Sequence, residues 1–152
     1  MPTILLTYGT RPIAQRIAKA LSPHHSIVLA SNEEIPTVLS NTYKSIPNPA
    51  NPVFAHEILK LCLDKNIDLV LPLGVAEIEV LSASIILFEE YGITILRPSI
   101  SAQQKIAQHI PSDTPLLIAH GGHSLLDKTP TPEMVQNGVY ALAADTWLPV
   151  II

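Results

Sequence analysis

Apolar residues in the first two-thirds of the chain fall into two alternating patterns, short unbroken runs and helical spacing. Thr3 to Tyr8 is a short, largely apolar run closed by Gly9, as expected of a strand covered on both faces. Ile13, Ala14, Ile17, Ala18 and Leu21 then recur at spacings of one, three or four, which places them on one helical face. Thr10 stands where a helix cap is wanted, and Pro12 falls in the first turn, where its fixed φ is already helical. Ser26–Ala30 predicts a second strand, followed by a loop or short helix through Leu39 and a short strand near Tyr43. Val53–Lys65 predicts a helix with Phe54, Ile58, Leu61 and Cys62 on one side. Leu69–Leu71 predicts a fully buried strand, Ala76–Tyr91 a third helix ended by Gly92, and Ile93–Leu96 a further strand.

Strands alternating with helices imply a mostly parallel sheet with right-handed crossovers. The expected fold is therefore α/β, a three-layer Rossmann-like sandwich with a core over residues 1–98. Residues 99–152 are less regular and read as a C-terminal extension of the same single domain. Ser101–Ile110 and Pro132–Asn137 have helical character, whereas Leu116–Ala119, Val139–Ala143 and Trp147–Ile152 have strand composition. Joined by tight turns, these strands suggest an antiparallel appendage to the main sheet. The predicted helix through Val80–Phe88 is apolar nearly all round, which implies burial on more than one side, under either the C-terminal segment or a second subunit.

Composition narrows the partners. Only 14% of residues are charged against 47% hydrophobic, where roughly 25% charged is usual. So little polar surface suggests that a partner covers apolar area, most simply a second copy of the chain. The net charge of −4 lacks the positive footprint that nucleic-acid binding requires. No apolar run reaches membrane-spanning length. The opening residues read as a strand rather than a leader peptide, and the single cysteine allows no internal disulfide, so cytoplasm is the expected location.

Three places invite chemistry. The loop Tyr8-Gly9-Thr10-Arg11 joins a strand to a helix, where α/β sheets bind ligands and helix N–H groups hold anions. Arg11 adds a guanidinium fork suited to phosphate or carboxylate. One glycine falls short of a dinucleotide fingerprint or a P-loop, and a tight turn with a surface arginine is the plainer account. Gly74-Val75-Ala76-Glu77 follows the Leu69–Leu71 strand and reaches the same end of the sheet. Glu77 there either faces a ligand or simply complements the helix dipole. His120-Gly121-Gly122-His123, with Asp127 nearby, offers too few groups for zinc and is explained by a hairpin. Cys62 sits on an apolar helix face, and no Gly-x-Ser-x-Gly elbow is present.

The Gly9 loop, the strand Ser26–Ala30, Ile67-Asp68-Leu69-Val70-Leu71-Pro72, Glu77, Phe88-Glu89-Glu90-Tyr91-Gly92 and Leu96-Arg97-Pro98-Ser99 follow one another in a telling order. In that order and spacing, residues 3–99 resemble the N-terminal domain preceding the ATP-grasp fold in biotin carboxylase and other carboxylate–amine ligases. The resemblance implies a substrate-side surface at the Gly9–Arg11 and Gly74–Glu77 loops. It also implies that the ATP lysines, magnesium carboxylates and Gly-rich flap belong to two further domains outside this sequence, so ligation by this chain alone is not expected. Tyr8-Gly9-Thr10-Arg11-Pro12 is locally similar to the Gly-Thr-Arg-Pro-Glu opening of UDP-N-acetylglucosamine 2-epimerases, departing at Ile13.

The leading expectation is a non-catalytic module for small-molecule binding or assembly, homodimeric, holding a small anionic metabolite or serving a separate ATP-grasp subunit. Its ligand residues are Gly9, Thr10, Arg11, Gly74 and Glu77. No catalytic residue, metal or cofactor is assigned. Two alternatives stay open: a small enzyme acting on a phosphorylated or nucleotide-sugar substrate with Glu77 as acid or base, and a purely structural homodimer.

Overall fold

The structure is a computed structural model that describes residues 2–98, 110–111, 113–132, 135, 137–143 and 146–152. The chain divides into two compact units, Met1–Ile95 and Leu96–Ile152.

The first unit is α/β: a five-stranded parallel sheet flanked by helices. In chain order it contains β1 (Thr3–Leu6), α1 (Pro12–Leu21), β2 (Ser26–Ser31), a 3-10 turn at Thr37–Leu39, β3 (Tyr43–Ser45) and α2 (Phe54–Asp64). There follow β4 (Leu69–Leu71), α3 (Val75–Ser82), α4 (Ile85–Glu90) and β5 (Thr94–Ile95). The strand order is β3-β2-β1-β4-β5, with every pairing parallel. The chain thus builds outward from β1 in one direction, then returns past it and builds outward in the other. One face packs Leu5, Ala30 and Val70 against Phe54, Ile58, Leu59 and Cys62 of α2, Leu81 of α3 and Phe88 of α4. Ile4 and Leu6, of opposite parity on β1, are also fully buried, and α1 buries Ala14, Ile17 and Leu21.

Two local expectations change. The cap of α1 is Arg11 rather than Thr10, because Pro12 occupies the first helical position and Arg11 is held extended at φ −80°, ψ 146°, with no side-chain cap. The third helix is two helices. Ser82 returns its hydroxyl to the Ile78 carbonyl, and Ser84 N–H bonds Leu81 rather than the residue four back, which tightens the turn and bends the axis. The bend also changes what is buried: Phe88 is fully enclosed, but Ile86 is 74% exposed and Leu87 and Tyr91 are exposed beside it. Within this chain one apolar side of α4 is exposed, so burial of the whole stretch would need a second subunit to cover it. Gly92 ends α4 at φ +75°, as expected.

The second unit is a four-stranded antiparallel sheet of order β7-β6-β8-β9. Its strands are β6 (Leu116–His120), β7 (His123–Ser124), β8 (Gly138–Ala143) and β9 (Thr146–Pro149). These strands form a sheet of their own instead of extending the parallel one, around Ala119, Val135 and Tyr140. Gly121 and Gly122 both have positive φ, 59° and 82°, which gives the two-residue hairpin its right-handed match to the strands. The helical readings at Ser101–Ile110 and Pro132–Asn137 fall largely outside the described residues. No helix among the described residues is long and apolar enough to cross a membrane.

The divided burial of α4 has a measurable result. Phe88→Ala should lower unfolding stability by about 3–5 kcal/mol, as large aromatic deletions from cores do. Ile86→Ser should stay within about 0.5 kcal/mol. Urea unfolding of both variants decides it, and equal losses would contradict the bend.

Candidate functional site

All five strands of the first sheet end at one edge, and the helices change face between β1 and β4. Their two loops therefore diverge there, which is the position where open α/β sheets take ligands. Both predicted loops lie at this point.

On the β1 side the chain leaves the sheet sharply. Thr7 is fully buried, and its backbone still bonds Leu71 at 3.4 Å. Tyr8 adopts φ +53°, a left-handed conformation that a tyrosine rarely takes. Gly9 has no such φ and is a glycine for another reason. Its N–H bonds the Ala30 carbonyl at 2.8 Å, and a Cβ there would stand 2.9 Å from the Leu29 Cβ and 3.2 Å from the Ala30 backbone. Arg11 follows, half-exposed, paired with Glu33 at 2.9 Å and lying 5.8 Å from the Tyr8 ring centroid. An ion pair this exposed contributes at most about 1 kcal/mol and yields readily to another anion. Gln15 of α1 donates to the Gly9 carbonyl and, at 2.9 Å, to the Tyr43 hydroxyl, bracing the loop.

On the β4 side Gly74 is the cap residue of α3 and Glu77 is its third helical residue. The Glu77 carboxylate turns back to the Gly74 N–H, half of the reciprocal arrangement known as a capping box. Glu77 is only 1% exposed, unusual for a carboxylate in a first helical turn. Thr7 links the two loops: its hydroxyl accepts the Leu73 N–H at 2.9 Å and donates to Glu77. The second oxygen, Oε1, is buried with no hydrogen-bond partner among the described residues. Burial pushes the Glu77 carboxyl up to about 7, against the opposing pull of the Thr7 and Gly74 hydrogen bonds. Burial, and next the Glu77 charge, also raise the Tyr8 phenol.

Of the five predicted ligand residues, the structure brings Gly9, Arg11, Gly74 and Glu77 to the same sheet edge, with Tyr8 and Thr7 between them. Thr10 is exposed on the loop. Sequence reasoning missed two members: Thr7 looked like the tail of a strand, and Glu33 lies 22 residues from the arginine it pairs with.

The other candidates have structural employment. His120 and His123 face each other across the hairpin, and Asp127 accepts both the N–H and hydroxyl of Thr129. No cluster of three or more metal-ligating side chains occurs among the described residues. Burial pushes the Cys62 thiol up to about 12, so it is not a nucleophile. The chain matches no protein-family profile, and no curated protein sequence matches it.

Glu77 makes stability pH-dependent in a defined sense. Its folded carboxyl holds a proton that the unfolded chain, at about 4.5, has already lost. This contribution is complete below about 4.5 and is lost as pH rises through about 7. The swing is roughly 3 kcal/mol, at about 1.4 kcal/mol per unit. Glu77→Gln keeps the acceptor without the charge, so the variant should gain on the parent between pH 5 and 8. Denaturant melts across that range check it, and parallel curves for the two proteins would refute it.

Proposed function

We propose that this chain is a small-molecule-binding module whose ligand sits at the end of the parallel sheet, between the Gly9–Arg11 and Gly74–Glu77 loops. The observation that carries the proposal is the buried Glu77 oxygen without a partner among the described residues. Buried polar atoms in native proteins are nearly always satisfied, and a free one at the sheet's switch point calls for a donor from outside. Arg11 supplies the complementary feature: a guanidinium held by an exchangeable surface pair, able to take a phosphate or carboxylate. The ligand is thus a small anionic metabolite with a hydrogen-bond donor.

Kinship with the domain preceding ATP-grasp enzymes, and service to a separate ATP-grasp subunit, are part of the proposal and rest on the order of the motifs along residues 3–99. A purely structural homodimer predicts both Arg11 and Glu77 in solvent; Arg11 is half-exposed, as that reading expects, but Glu77 is buried, which favours the binding reading. Self-association remains proposed on the low charge content alone. A second reading is supported by the Glu77 carboxyl near 7, the value a general acid–base needs. In that reading Arg11 anchors a phosphorylated or nucleotide-sugar substrate, and Glu77 moves the proton.

The test is a thermal-shift screen with ATP, ADP, UDP-sugars, amino acids, bicarbonate, phosphate and zinc. A true ligand at a hundred times its Kd adds about 2.7 kcal/mol, a rise of several degrees. An anionic hit should vanish in Arg11→Ala. Silence across the panel would overturn the binding proposal. Turnover of the hit that is lost in Glu77→Gln while binding persists would establish the enzyme reading.

A further inference from the structure

The Tyr8 ring lies against Gly74. A Cβ at residue 74 would stand 2.5 Å from Tyr8 Cε2, 2.9 Å from its hydroxyl oxygen and 3.1 Å from Cζ. The ring therefore occupies a notch that exists only because residue 74 has no side chain. The same glycine gives its N–H to the Glu77 carboxylate, so ring and carboxyl meet on one residue. Little else holds the ring. Its hydroxyl makes no hydrogen bond among the described residues, its backbone is in the left-handed region, and its one charged neighbour in ring contact is Arg11 at 5.8 Å. The charged groups that act on it are Glu77, Arg11 and Glu33, and Arg11 is itself engaged with Glu33.

We propose that the Tyr8 side chain is a movable cover over the Glu77 carboxyl, seated in the Gly74 notch and clasped by Arg11. The proposal rests on the reading that the free Glu77 oxygen serves a ligand. With the ring seated, the carboxyl is kept from water and from ligand alike. With the ring swung out, a donor reaches Oε1. An anion that draws Arg11 away from the ring loosens the clasp, so the anion-holding group and the buried acid become steps of one opening. The left-handed backbone at Tyr8 fits this role: it aims a large ring back over the sheet end, and its strain relaxes when the loop moves.

The test needs no ligand. The Glu77 carboxyl is titrated by carbon NMR on protein labelled at glutamate Cδ, with Glu77→Gln assigning the resonance. The parent and Tyr8→Phe, which keeps the ring, should share a midpoint. Tyr8→Ala, and Gly74→Ala, which fills the notch and displaces the ring without removing it, should each lower it by about one unit or more as water reaches the carboxyl. Amide spectra verify that each variant is folded, and if Tyr8→Ala fails to fold, Gly74→Ala decides. Midpoints unchanged in the folded variants overturn the cover. Lowered midpoints beside a silent ligand screen uphold the cover and retract the binding reading. Unchanged midpoints beside a ligand hit do the reverse.

Discussion

β1 is hydrogen-bonded along both edges, to β2 from Thr3↔Ser26 to Leu6↔Leu29 and to β4 from Ile4↔Leu69 to Leu6↔Leu71. Both neighbours run in its own direction, so three strands end together and three loops leave from one edge. Parallel neighbours must be joined by crossovers of one hand, which sends α1 to one side and α2, α3 and α4 to the other. The separation between the β1 and β4 loops follows from that topology before any side chain is considered. Thr7, the first residue beyond β1, joins the β1 loop to the continuation of β4, through Leu73 and Glu77.

Glu77 is where local and tertiary demands diverge. As the third residue of a helix it needs only to complement the dipole and return to the cap N–H, and an exposed side chain does both. Here the carboxyl is enclosed, and hydrogen bonds to Thr7 and Gly74 recover only part of its lost hydration. A hydrophobic or amide side chain would cap or fill the space with less penalty, so the acid is expensive to the fold at neutral pH. Residues whose environment works against their charge gather at functional sites.

The sheet was legible because its signals are short-range: apolar runs such as Leu69–Leu71, an amphipathic α1 opened by Pro12, and a helix end at Gly92. The two loops were legible too, since any strand-to-helix turn in such a sheet reaches the same edge. What escaped depends on geometry that no periodicity encodes. The positive φ falls on Tyr8 rather than on the adjacent glycine, and Gly9 and Gly74 are required by neighbours twenty and sixty-six residues away, Leu29 and Tyr8. The break between α3 and α4 was hidden because Ser82 and Ser84 are acceptable helix residues until one turns its hydroxyl back on the chain. The C-terminal strands were recognisable singly, but composition does not say whether a strand joins an existing sheet or founds another.

Cys62 lies in the cluster shared by α2, β4 and α4, and it carries the only thiol in the chain. While the parallel unit is closed, its sulfur is both protonated and out of reach of any electrophile or oxidant. Chemical capture at this atom therefore proceeds only through conformations in which α2 has lifted from the sheet. Nature has left the α/β unit with a single silent clock: the pace at which a thiol reagent marks Cys62 counts openings of that unit.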